Sequence, residues 1–272
     1  MARRTPQRAA LTRLVPAIVV PAVLALLLAG CAAPLEPRSP ADRSTPPRLG
    51  SCYVLTPQDT GRPSNDEAAV PCAKPHTAQT FAIGTLPRST GTSYTAPGHG
   101  RYVYDTCEKA FERFLGLDES TALRIRLSWS WFRPSERGWK SGARWFRCDV
   151  VGGPTEARQY LALPTTTKGL FSRKPPEAWL TCAQGPTVLK SEKVSCTQPH
   201  DWRAVTTIKL GGPQDAYPGD RLVQVRSRDF CSDSVGAWLN YPVDYEFGYT
   251  WFHRAEWQAG NRRSVCWAKT QR

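Results

Sequence analysis

Two stretches of this chain gather apolar residues on one face of a helix, and each is followed by a run with the period of a strand. Cys107, Phe111, Phe114 and Leu115 fall at i, i+4, i+7 and i+8, and so do Cys231, Val235, Trp238 and Leu239. That spacing marks a single helical face. Leu123, Ile125, Leu127, Trp129 and Trp131 then alternate with Arg124, Arg126, Ser128 and Ser130. In the second stretch Val243, Tyr245, Phe247, Tyr249 and Trp251 alternate with Asp244, Glu246, Gly248 and Thr250. Period two with aromatic and β-branched residues predicts half-buried strands. A loop returns each run through Arg144–Cys148 or Arg263–Trp267 as an antiparallel partner, and Phe81 and Val205 sit in further strand-like segments upstream.

The amino terminus follows a different pattern. Arg3, Arg4, Arg8 and Arg13 precede an apolar stretch from about Leu14 to Ala29, which ends in Leu28-Ala29-Gly30-Cys31. A basic start, a short apolar run and small residues predict an export signal over residues 1–30, and the run is too short to span a bilayer comfortably. Leu-Ala-Gly-Cys resembles the bacterial lipobox, which makes Cys31 the expected lipidation site and the first residue of the mature chain. Residues 31–49 are proline-rich and poor in apolar side chains, the composition of a stiff tether. The localisation expected is the extracytoplasmic face of the membrane, held by lipid on Cys31.

The other eight cysteines form two ordered sets, Cys52, Cys72, Cys107, Cys148 and Cys182, Cys196, Cys231, Cys266, with the same spacing of 35 from second to third. Each second cysteine opens a shared phrase, Val70-Pro-Cys72-Ala-Lys-Pro-His76 and Val194-Ser-Cys196-Thr-Gln-Pro-His200. An oxidising compartment and an even count favour disulfides. Three pairings are open within each set. The reading favoured here joins first with second and third with fourth: Cys52–Cys72, Cys107–Cys148, Cys182–Cys196 and Cys231–Cys266. Cys72-x3-His76 and Cys196-x3-His200 look like half of a zinc finger, but CxxC pairs are missing and bridges are preferred. Neither metal nor cofactor is expected. The predicted fold class is α+β: two homologous small modules, residues 50–151 and 176–272, each an antiparallel sheet with one packed helix, stapled by disulfides. Residues 152–175, with three prolines and a threonine run, read as a linker or long surface loop.

Several ordered motifs carry a family resemblance. Gly50-Ser-Cys52, the V-x-C-x-x-P-H phrase, the helical cysteine and Trp131-Phe-Arg-Pro134, then Trp139-x-x-Gly142-x-Arg144 and Cys148, resemble the actinobacterial septum formation family. The second module keeps Val194, Cys196, Pro199, His200, Cys231, Trp251-Phe252, Trp257, Gly260, Arg262 and Cys266. It lacks the leading glycine and the proline after Trp-Phe. The family usually shows an acidic residue three after the histidine, where this chain has Gln79 and Arg203. The resemblance implies a cell-envelope protein linked to division and implies no enzyme chemistry.

Candidate chemistry is sparse. His76 and His200 follow a proline behind a bridged cysteine, where a histidine commonly bonds the loop backbone. The chain has no G-x-S-x-G elbow and no spare thiol for nucleophilic attack. Glu136 and Glu256 match between modules and read as loop anchors. The formal charge falls from +13 to +9 without the four arginines of residues 1–30, so the mature part is basic. Such a surface suits anionic lipid or wall polymer, while nucleic acid is excluded by compartment. Of the ten tryptophans, Trp139 and Trp257 lie on loops, where they could stack on sugars. The function expected is that of a non-enzymatic, lipid-anchored envelope protein acting by binding. Its partners would be membrane lipid through Cys31 and an envelope protein, with septum formation as the process expected. One alternative is binding of wall glycan or anionic wall polymer through Trp139, Trp257 and the basic surface; a histidine-dependent envelope enzyme is the other.

Overall fold

Each half of the chain folds its two cysteine pairs around an antiparallel sheet. The computed structural model describes residues 39–270 apart from Pro213 and Ala259. The signal segment 1–30, Cys31 and the tether up to residue 38 lie outside the described residues. The first module runs β1 (Cys52–Tyr53), α1 (Pro57–Thr60), β2 (Ala78–Thr85), α2 (Gly98–Leu115), α3 (Glu119–Ala122), β3 (Ser128–Phe132), α4 (Glu136–Lys140) and β4 (Trp145–Val151). The second runs β5 (Thr181–Gln184), β6 (Glu192–Ser195), β7 (Trp202–Lys209), α5 (Asp220–Trp238), β8 (Phe247–Thr250), α6 (Arg254–Gln258) and β9 (Arg263–Lys269). The sheet orders are β1-β2-β4-β3 and β6-β5-β7-β9-β8, so the second adds one edge strand to the same plan. The chain is therefore α+β with an internal repeat.

The helices lie on their sheets by a stripe of every fourth residue. His99, Val103, Cys107, Phe111 and Leu115 are buried on α2, and Val223, Ser227, Cys231 and Val235 on α5. Cys107–Cys148 and Cys231–Cys266 tie each stripe to the central strand beneath it. Cys52–Cys72 and Cys182–Cys196 close the loops beside β1 and β5. One substitution between the copies is compensated locally. Where the first core holds Val103 and Phe146, the second holds Ser227 and Ser264, whose hydroxyls stand 2.8 Å apart, with Ser227 also 2.7 Å from the Val223 carbonyl. A buried hydroxyl so partnered avoids most of its desolvation cost.

The repeat extends to strand register. Cys52 faces Gln79 and Cys182 faces Arg203; Ala82 faces Cys148 and Thr206 faces Cys266. Both long strands slip by one residue at the same place, at Phe81 and Val205, a bulge that bends the strand around its helix. The Trp-Phe pairs break the parallel. Trp131 faces Cys148, but the residue facing Cys266 is Tyr249, not Trp251. Phe132 packs on the sheet side away from α2, with Tyr53 and Val151, whereas Phe252 packs with Val223 of α5 and with Trp257. Trp251 lies 15 residues before Cys266 where Trp131 lies 17 before Cys148, so the second chain leaves the sheet before its Trp-Phe.

Other expectations need correcting. The alternation from Leu123 becomes a turn at the end of α3, a single bridge at Ile125 and a strand beginning only at Ser128; its counterpart begins at Phe247 and leaves Val243 fully exposed (100 %). Trp238, placed on the helix's apolar face by its spacing, is 48 % exposed because the stripe in contact with the sheet runs from Val235 to Leu239 and passes it by. The segment 152–175 does more than connect. Tyr160 packs behind the first sheet, Leu163 and Phe171 join the core under α2, and Phe171 donates its backbone N–H to Leu115 at 2.9 Å. Gly152 admits this wrap, since a Cβ there would stand 2.0 Å from the Leu161 carbonyl oxygen. The end of the tether is docked as well. Ala41 is fully buried and accepts from the Ser135 N–H at 2.9 Å, while Arg137 pairs with Asp42 at 3.4 Å.

The described residues of both modules belong to one compact unit. Arg126 N–H donates to Trp179 and Thr181 N–H to Arg124, at 2.8 and 2.9 Å, which carries strand pairing from one module to the other. Glu119 reaches Arg263 at 2.9 Å and Lys209 at 3.4 Å, and Ser120 meets Thr207 at 2.9 Å.

Candidate functional site

The residues singled out from the sequence lie mostly in the interior. His76 is 1 % exposed, with Nδ1 2.8 Å from the Lys74 carbonyl; His200 repeats this against Gln198 at 2.7 Å. A carbonyl only accepts, so Nδ1 carries the proton in both. Each ring locks the turn behind its disulfide, and the fold leaves the two in separate modules.

Trp139 and Trp257 are not open sugar platforms. They stand on α4 and α6 at 7 % and 4 % exposure. Trp139 meets Tyr94 and His99; Trp257 meets Phe252 and Tyr217. Arg144 and Arg262 each lie 3.8 Å over the corresponding tryptophan ring and donate to its backbone carbonyl. Gly142 (φ 93°) and Gly260 (φ 108°) turn the chain between ring and guanidinium, in a region that side-chain-bearing residues rarely enter. The W-x-x-G-x-R motif is thus a structural clip, repeated once per module. Glu136 and Glu256 are both exposed, and Glu256 accepts from the His253 N–H at 2.6 Å.

What the modules do form together is a cleft of about 610 Å³. One wall is α2, where Tyr104, Glu108 and Glu112 share a face beside the buried stripe and Phe111 of that stripe borders the cleft. The floor is β3 with Trp129 and Trp131, and the far rim is Gly260–Arg262 of the second module. Tyr104 and Trp129 form an open aromatic corner, with ring centres 5.7 Å apart and planes at 45°. Gly116 (φ 75°) ends α2, and Asp118 caps α3 through the Thr121 N–H at 2.7 Å, which delivers Glu119 to the same rim. Sequence reading missed this site because Trp129 and Trp131 look like core residues and Glu112 like a solvated one. The legible signal was the tyrosine and two glutamates at i, i+4 and i+8 on one helix.

The cleft is acidic within a basic chain. Glu108 and Glu112 are like charges four residues apart, a mutually unfavourable arrangement. Burial pushes the Glu112 carboxyl above the usual carboxylate range, and Glu108, Glu119 and Asp118 push it the same way. The Tyr104 hydroxyl donates to Glu108 at 2.8 Å, and burial with that carboxylate raises its pKa. Glu119 is held low by its hydrogen bond from Arg263. Among the described residues no group of three or more His, Cys, Asp or Glu side chains is placed to hold a metal ion.

Fold and cleft define a class: a two-module α+β protein, stapled by disulfides, with a shared aromatic-acidic cleft. The chain belongs to the septum formation family, whose model matches residues 36–133 and again 122–266. Those matches tie it to septum formation, and hence to the cell envelope. No curated protein and no solved structure matches it. Among the described residues no helix is long and apolar enough to cross a membrane.

Proposed function

We propose that this is an exported lipoprotein, anchored through Cys31 on the outer face of the membrane, which acts at the septum by binding rather than by catalysis. The observation that carries the reading is the cleft itself, concave, floored by partly buried tryptophans and closed only when both modules are present. A few polar groups set in an aromatic pocket are what small-ligand and peptide sites commonly offer. The buried setting of His76 and His200 supports a structural role for both rings, and neither lines the cleft.

A fluorescent fusion of the full chain tests the reading. Wild type should concentrate at division sites. Trp129→Ala with Trp131→Ala should remain in the membrane fraction but spread uniformly around the cell. Cys31→Ser should leave the membrane fraction. Uniform wild-type signal would overturn the septal role, and retention of Cys31→Ser in the membrane would overturn the anchor.

A further inference from the structure

The charge of the cleft runs against that of the chain. The mature part carries a formal charge of +9, yet α2 turns Glu108 and Glu112 into this recess, where Arg262 on the far rim is the one basic lining residue among the described residues. Glu119, on the same rim, is already matched by Arg263 and Lys209. Glu108 and Glu112 form no salt bridge among the described residues, and their mutual repulsion is a standing cost that a bound cation would remove.

A bare metal ion is a poor candidate, since the acidic groups do not converge as a ligand set. An organic cation suits the space better. Tyr104 and Trp129 present ring faces at an angle, with Trp131 beside them on the floor. Aromatic faces attract alkylammonium groups through the ring quadrupole, most strongly where water is partly excluded, and walls of this kind with a nearby carboxylate are a recurrent ammonium receptor. The apolar floor also covers the methylene stem that carries such a group.

Resting on the reading of the cleft as the recognition site, we infer that it takes an alkylammonium group, seated against Tyr104 and Trp129 and neutralised by Glu108 and Glu112, while the Trp131 ring already lies under the Arg133 guanidinium at 5.5 Å. The group can come from a lysine-type peptide side chain or from a free diamine, and the two share this chemistry.

Titration calorimetry on the full chain in detergent decides it, with four probes: a capped trilysine peptide, its Nε-acetylated form, putrescine and chitotriose. Trilysine should bind and the acetylated peptide should bind at least tenfold more weakly. Glu112→Gln should weaken trilysine at least fivefold without lowering Tm, and Trp129→Ala should weaken it similarly. Putrescine binding as tightly as trilysine would assign the free amine as the source; much weaker putrescine would assign the peptide. Equal affinity for the acetylated peptide, indifference to Glu112→Gln, or no binding of either amine would overturn the inference. Chitotriose binding that Trp129→Ala abolishes, without amine binding, would overturn the ligand class while leaving the cleft a recognition site.

Discussion

Buried polar residues decide several local choices in this fold. Arg147 and Asp149 lie on the central strand of the first sheet, wholly enclosed, with Nε and Oδ2 2.9 Å apart. Thr80 donates to Asp149 at 2.6 Å, Asn65 accepts from Arg147 at 3.0 Å, and the guanidinium stands 4.0 Å over the Tyr53 ring. Burial pushes the Asp149 carboxyl up while Arg147 draws it down. The second module has Val265 and Trp267 at these positions, so the plan of the sheet does not require the pair. Asp149→Ala should cost about 3–5 kcal/mol by stranding a buried charge, whereas Arg147→Met with Asp149→Leu should cost far less. Urea unfolding of the two variants beside wild type checks this. Asp118 offers a pH test. The Thr121 N–H, with help from the Thr121 side chain, holds its carboxyl below the ordinary value of 3.8. A lowered folded-state pKa means that the contribution is present above 3.8 and is lost as pH falls through the folded value. Asp118→Ala should therefore destabilise by about 1 kcal/mol at pH 7 and by less near pH 2, read from Tm at both.

At the scale of elements, the helical faces were legible and the tryptophans were not. The stripe through Cys107 and Phe111 announces its contact because a helix buries only the residues that return to one side. Trp139 and Trp257 read as loop residues because two short helices of five residues each carry too little periodicity to declare themselves. Their burial makes a clear prediction. Trp139→Ala and Trp257→Ala should each cost about 3–5 kcal/mol in thermal unfolding, with no selective loss of ligand. Pattern also misaligned the hairpins. Trp251 lies 120 residues after Trp131, while Cys266 lies 118 after Cys148, and the sheet follows the cysteines. A disulfide and a ladder of backbone hydrogen bonds fix register more strongly than an aromatic pair that can pack on either side.

For the whole molecule, the junction is the feature that spacing alone did not reveal. Backbone hydrogen bonds through Ile125 and Leu180, together with the Glu119 contacts, join two units that could each have closed its own core. Calorimetry of the oxidised protein should therefore show one cooperative transition; two resolved transitions would refute the coupling. Arg263→Ala removes a partly exposed ion pair and should cost no more than about 1 kcal/mol, lowering Tm slightly without splitting the transition.

Sequence alone determined the repeat, the α+β plan and the helical faces, because cysteine order and apolar period are local constraints that each copy repeats. Tertiary structure alone decided that residues 152–175 wrap the first core, that His76, His200, Trp139 and Trp257 turn inward, and that Tyr104, Glu112, Trp129 and Asn261 meet in one cleft. Those are meetings between residues far apart in the chain, and a one-dimensional pattern records which side a residue faces but not what waits there.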